Sequence, residues 1–262
     1  MASGGFFKKL RILFLLFVLI IVTGDYWLTK LRTTDWDMPL QMVVYPINGD
    51  GSEVASQYIE QLTEEIYEPV EEYLTAEAAE YELPLKNPLT IKLGPVVDEL
   101  PPRPPVDRQI LKVMWWSLKM RYWAFSVDAY KGPAADVRMF VVYYDPNEHD
   151  RLKHSLGLEK GLIAVVNAFA DSKRENKNNI VLAHEFLHTV GATDKYDLSS
   201  GAPLFPVGYV EPDKQPLHPQ EFAEIMAGVT PIAEDEWVMP ENLSDTLIGL
   251  ETAKEINWIP EQ

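Results

Sequence analysis

The chain has no cysteine in its 262 residues. Disulfides are therefore excluded, so the folded body has to rely on its core. A lipid-modified lipoprotein is excluded as well. Basic charge is also scarce: 23 Lys and Arg stand against 40 Asp and Glu, a formal net charge of −17. Such a chain would be repelled by phosphate backbones, which argues against nucleic acid as a partner. The same acidity would keep an exported domain soluble. Internal repeats and low-complexity segments are absent. The uninterrupted apolar run Ile12 to Val22 is short of the about 20 residues that a membrane span wants.

That run still has the layout of an export signal, because Lys8, Lys9 and Arg11 stand directly before it. Leu10 and the segment Tyr26-Trp27-Leu28 would extend it, with the aromatics at the interface. Basic residues on the amino-terminal side place residue 1 in the cytoplasm and the bulk of the chain outside. Val22-Thr23-Gly24 is only a loose cleavage site without Ala-x-Ala. The expectation is an uncleaved signal anchor and one transmembrane helix, with cleavage and secretion as the alternative. Residues 1–30 then form the cytoplasmic stub and anchor, 31–37 a linker, and 38–262 the remaining domain. Residues 1–37 hold five basic and three acidic side chains, a net of +2, so the remainder carries −19. Some 225 residues are enough for one sizeable core or two small lobes.

Past the linker, Met42 to Ile47 and Leu89 to Leu93 read as strands, and Val137 to Tyr144 and Leu162 to Phe169 as two more. Between them, Ser52 to Tyr81 has the periodicity of a long helix, with a possible interruption at Pro69. Pro101, Pro102, Pro104 and Pro105 mark a rigid loop. Arg108 to Phe125 interleaves Trp115, Trp116, Tyr122 and Trp123 with Arg108, Lys112, Lys119 and Arg121. Such a helix suits a membrane surface, although large aromatics more commonly fill cores. Pro203, Pro206, Pro212, Pro216 and Pro219 punctuate a long loop. Glu241 to Trp258 reads as a closing amphipathic helix. His149, His154 and His218 read as surface residues.

Residues 184–194 carry the chemistry: His184-Glu185-Phe186-Leu187-His188, then Gly191 and Asp194. On a helix, positions i and i+4 share a face, so His184 and His188 can hold one metal ion between them. Glu185 then reaches a water on that metal. Two imidazoles and a carboxylate suit Zn²⁺, and three protein ligands with one open position make a catalytic pattern. Asn178 or Asn179 is the candidate N-cap of this helix. Gly191 tolerates the left-handed backbone that ends a helix and would swing Asp194 back as third ligand. The plainer reading makes His184 and His188 surface histidines, Gly191 a simple cap and Asp194 a solvated acid.

Together with Glu224-Ile225-Met226-Ala227-Gly228 downstream, this pattern resembles the metzincin clan of zinc endopeptidases, in the minority snapalysin-like form whose third ligand is Asp. The resemblance covers only residues 184–194 and 224–228. It implies an α+β, zincin-like fold of two lobes, with a mixed sheet and the active-site helix in 38–191. A small irregular lobe in 192–262 would close the cleft. It implies His184, His188 and Asp194 as ligands of one Zn²⁺, and Glu185 as general base toward a zinc-bound water. Gly191 would be the turn and Met226 the apolar floor. In that arrangement the strand ahead of the active-site helix is the sheet edge that binds substrate, whereas an interior strand would have no such role. Gly228 stands where some metzincins place a tyrosine ligand, so no such ligand is expected. Tyr196 and Tyr209 are candidate oxyanion donors.

The expected activity is hydrolysis of peptide or protein substrates by a membrane-anchored, extracytoplasmic endopeptidase. Two alternatives remain open. One is a gluzincin-type zinc hydrolase with Glu221 or Glu224 as third ligand. The other is a non-catalytic anchored binding or assembly protein.

Overall fold

In the computed structural model, residue 8 and residues 11–13, 35–105, 107, 109–158 and 162–259 are described. The anchor expectation falls almost wholly outside them. No helix among the described residues is long and apolar enough to cross a membrane.

The chain builds a mixed α/β fold on a five-stranded sheet. Its strands are β1 (Leu40–Asn48), β2 (Leu89–Leu93), β3 (Val137–Tyr144), β4 (Leu156–Leu158) and β5 (Ile163–Phe169), in the order β2-β1-β3-β5-β4. All neighbours are parallel except β4, which runs antiparallel to β5. Near-continuous apolar runs such as Val-Arg-Met-Phe-Val-Val-Tyr-Tyr suit a parallel sheet covered on both faces. Alternation along the strands divides the interior in two. Met42, Val44, Met139, Val141 and Val166 face one core, packed by α1 (Glu53–Glu60), α2 (Glu68–Glu80) and α4 (Glu175–Thr189). Val43, Tyr45, Ile47, Phe140 and Val142 face the other, under α3 (Ile110–Val127). Residues beyond α4 add two small sheets. In one, β6 (Ala223–Glu224) pairs in parallel with β9 (Thr246–Leu247); in the other, β7 (Thr230–Ala233) pairs antiparallel with β8 (Glu236–Val238). The last helix is α5 (Leu250–Glu255).

Four expectations are corrected. The strand directly ahead of the motif helix, β5, is interior; the edge is β4, which stands one place earlier in the chain. Three residues around a glycine are too short and too weakly patterned to register as a strand in sequence. The helix expected over 52–81 is two helices broken at Leu62-Thr63, where Thr63 turns extended. Pro69 does not interrupt either one; it sits in the first turn of α2, where its missing N–H costs nothing. The motif helix starts at Glu175 rather than at Asn178 or Asn179. Asn178 instead bonds both the N–H and the carbonyl of Phe169, pinning α4 to β5, and Asn179 donates to the Ile66 carbonyl. The closing helix spans only six residues. Asn242 and Asp245 form a capping box around one 3₁₀ turn, after which Thr246-Leu247 joins β6. Side-chain caps of this kind offer the backbone an alternative to helix.

Candidate metal centre

The helix α4 ends in a Schellman turn, with Ala192 N–H bonded to the Leu187 carbonyl (3.0 Å) and Gly191 N–H to that of His188 (3.3 Å). Gly191 adopts φ +114°, and a Cβ there would stand 3.2 Å from the Glu255 carbonyl oxygen. Conformation and space thus both call for glycine. This turn brings Asp194 back over the helix.

The result is a cluster in which one ligand atom each from His184, His188 and Asp194 lies within 4.8 Å of the others. Asp194 Oδ1 is 3.3 Å from His184 Nε2 and 3.1 Å from His188 Nε2. Two atoms bound tetrahedrally to zinc at about 2.0–2.1 Å lie roughly 3.3 Å apart, so the spacing fits one shared ion.

Ring orientation supports the same reading. His184 Nδ1–H donates to the Ile225 carbonyl (2.9 Å), and His188 Nδ1–H to that of Ala192 (2.8 Å). With Nδ1 committed to a carbonyl, each ring turns its Nε2 toward the carboxylate, so that either protons on Nε2 or one cation must lie among the three atoms. Backbone carbonyls fixing the tautomer of metal-binding histidines are the usual outer support.

No family model matches the chain, and no curated protein does.

Electrostatics around the cluster are consistent with its donor set. Burial pushes Asp194 upward, but hydrogen bonds and charge from His184 and His188 outweigh it and hold the carboxyl well below its ordinary range. Burial depresses His188, whereas its bonds to Asp194 and to the Ala192 carbonyl carry it net upward. Glu185 is 6 % exposed. Burial raises its pKa against the pull of both histidines and of the Gly157 backbone N–H beside it, and its Oε2 makes no hydrogen bond of ordinary geometry among the described residues. A buried carboxylate oxygen left open costs free energy unless a ligand or water completes it.

The edge strand closes on this carboxylate. A Cβ on Gly157 of β4 would stand 3.2 Å from Glu185 Oε2. Nothing in the sequence marks Gly157, because a lone glycine between two leucines gives no periodic signal.

The remaining candidates separate clearly. Tyr196 tilts against His184 with ring centroids 6.5 Å apart, and burial, then the charges of Asp194 and Glu185, raise its hydroxyl to about 12. Tyr209 packs on Phe205 and His218 instead. Met226 is fully buried beside Ile225, whose carbonyl holds His184. Glu221 is exposed. Glu224 is fully buried, and its carboxylate accepts from Ala227 N–H, Gly249 N–H and the Thr252 hydroxyl. It therefore ties the methionine turn to α5, and neither Glu221 nor Glu224 joins the cluster.

A second network holds the loop that carries Asp194. Lys195, only 3 % exposed, places Nζ 2.6 Å from Glu255 Oε2 and 2.7 Å from the Thr193 hydroxyl. Glu255 also accepts from Thr193 N–H and Oγ1. Both neighbours of Asp194 are thereby fixed to α5, 60 residues later in the chain. Nothing in the sequence pairs Glu255 with Lys195.

Elsewhere, Asp50, Glu148 and His149 form another three-residue group. Glu148 is exposed, and Asp50 is occupied with the Asp145 N–H and the His149 ring.

Proposed function

We propose that the chain is a zinc-dependent endopeptidase of zincin-like, two-lobed layout, held at the outer side of a membrane by its amino-terminal segment. The observation that carries this reading is the convergence of His184 Nε2, His188 Nε2 and Asp194 Oδ1 beside the unpartnered, buried Oε2 of Glu185. The first three atoms would hold the ion. When bound, Zn²⁺ supplies Lewis acidity to the attacking water and to the scissile carbonyl.

The protein's own groups divide the remaining work. Glu185 takes a proton from the attacking water and delivers it to the leaving amine, a task for which its raised pKa is suited. Two neutral imidazoles and one carboxylate leave the site less positive than three histidines would, which increases the need for a base. Tyr196, beside Asp194, is the donor available to a developing oxyanion, because its high pKa keeps the hydroxyl protonated.

Substrate would bind along β4. Among the described residues that strand pairs only with β5, so its other edge can accept an extended peptide as a further strand. Such a peptide alternates its side chains between the two faces of the sheet. One face carries the metal cluster. The other has a cavity of about 410 Å³ bordered by Leu156, Trp116 and Arg103, a place for an alternate side chain.

The test is elemental analysis of zinc in the purified chain, followed by a peptide panel with and without chelator. About one zinc per chain and chelator-sensitive cleavage, restored by zinc, are expected. A chain that takes up zinc but cleaves no peptide would make it an anchored binding protein. Failure to bind zinc after reconstitution would remove the proposal altogether.

A further inference from the structure

The helix α3 covers the sheet face opposite to α4. Its inner side, Trp116, Met120, Trp123 and Ala124, is buried. Its outer side is apolar too, which a helix facing water does not need. Leu111 is 79 % exposed, Trp115 71 %, Tyr122 73 % and Phe125 77 %, with Met114 and Leu118 exposed between them.

At 3.6 residues per turn these six side chains fall within an arc of about 100°, centred on Leu118. Lys112 and Lys119 lie along one border of the arc and Arg121 along the other. An apolar stripe rich in Trp, Tyr and Phe, bordered by basic residues, is the pattern of a helix lying in a bilayer interface. Single exposed apolar residues are ordinary on any protein; a stripe this long on one helix is not.

Two further observations select lipid as the occupant. The chain carries a net charge of −17, yet α3 holds three basic residues and no acidic one, Lys112 pairing with Asp107 just before the helix. Anionic headgroups attract such a helix, whereas a second copy of this acidic chain is repelled over most of its surface. The apolar run Ile12–Val22, preceded by Lys8, Lys9 and Arg11, ends 14 residues before Trp36, which is buried and donates its indole N–H to the Ile256 carbonyl. Fourteen residues reach at most about 50 Å. A body of this size has a radius of gyration of about 17 Å. A segment held in a bilayer would thus keep α3 permanently within reach of it, at high effective concentration.

We propose that the outer face of α3 is a membrane-docking surface that seats Leu111, Met114, Trp115, Leu118, Tyr122 and Phe125 in a lipid bilayer. Docking there turns the opposite face of the sheet, with α4 and the histidine cluster, away from the membrane. The tether sets proximity and α3 sets orientation. The proposal does not depend on the chemistry of the cluster.

The absence of cysteine makes the test clean. Leu118→Cys and Glu60→Cys each introduce one thiol into the full chain, the second on α1, on the opposite face of the sheet. Both are spin-labelled and reconstituted into vesicles of phosphatidylcholine with phosphatidylglycerol. The label at 118 is expected to lose collisions with a water-soluble nickel chelate and gain collisions with oxygen, while the label at 60 shows the reverse. Equal access of the chelate to both positions overturns the proposal. So does protection at 118 accompanied by spin–spin broadening that dilution with unlabelled chain removes, since a second copy would then cover the face. Loss of chelate collisions at 118 without the gain in oxygen collisions also overturns it, because packed protein, unlike acyl chains, admits little oxygen, and another part of the same chain would then be the cover.

Discussion

Gly157 of the edge strand lies so near the motif helix that a methyl group on it would stand 2.4 Å from Cβ of His188 and 2.7 Å from the Glu185 carbonyl oxygen. Both neighbours belong to the helix frame rather than to a flexible side-chain tip. Gly157→Ala therefore has to push β4 off α4. We expect a loss of about 1–3 kcal/mol in denaturant unfolding, the usual cost of overpacking, with weakened zinc binding. An alanine variant of unchanged stability and zinc affinity would mean that the strand does not approach the helix so closely.

Glu185→Gln keeps the shape of the side chain and removes its basicity. Zinc per chain should stay as in wild type, while kcat falls by about 10²–10⁴, the usual contribution of a general base. Retained turnover in the variant would sink the assignment of the base.

Asp194→Ala and Glu224→Ala should fail in different ways. The first removes a carboxylate 3.1 Å from His188 Nε2, so zinc content drops while the fold persists. The second strands Ala227 N–H, Gly249 N–H and the Thr252 hydroxyl inside the core. Each unpaired buried group costs about 1–3 kcal/mol, so Tm falls, while the folded fraction should still bind one zinc. Zinc retained in Asp194→Ala and lost from folded Glu224→Ala would restore Glu224 as the third ligand.

Lys195 and Glu255 anchor the loop that carries Asp194. Glu255→Gln leaves the Lys195 ammonium buried without its counter-charge. The penalty for such a break is about 3–5 kcal/mol at full burial and less here, since the Glu255 side chain is 29 % exposed. Zinc affinity measured by chelator competition should fall about 10–100-fold, as for other supporting shells. An unaltered affinity would show that the loop holds its position without α5.

Glu77 provides a pH signature independent of zinc. Burial raises its pKa to about 7, against a bond from Ile248 N–H, and the charges of Glu80 and Glu224 add to the rise. Below the unfolded carboxyl value, near 4.3, it is protonated in both states and contributes no penalty. As pH rises through about 7 the folded state must either hold a buried charge or bind the extra proton, and stability is lost. Glu77→Gln should therefore raise Tm at pH 8, by an amount on the order of 1–3 kcal/mol in ΔG, and change little at pH 4. An equal effect at both would exclude titration of Glu77 as the cause.

Legibility in the sequence followed the range of the interaction. The strands over 40–48, 89–93, 137–144 and 163–169 announce themselves through short apolar runs, and α3 and α4 through helical spacing. The edge strand does not, because Leu156-Gly157-Leu158 becomes a strand only by pairing with β5 and packing on α4. The carboxyl-terminal segment misleads, since its leucines keep a helical period while Asn242, Asp245 and Gly249 divide it into a capped turn, a two-residue strand and a short helix.

The i, i+4 placement of His184 and His188 on one helix face, with a turn glycine three residues later, needs only the geometry of the peptide backbone and could be read directly. So could the acidity of the chain and its lack of thiols. That Glu224 supports the turn at Met226 rather than the cluster, that Lys195 meets Glu255, and that the His184 imidazole is oriented by the Ile225 carbonyl depended on the fold. These are contacts between residues up to 60 positions apart, and only packing, not local conformational preference, brings such groups within hydrogen-bonding distance.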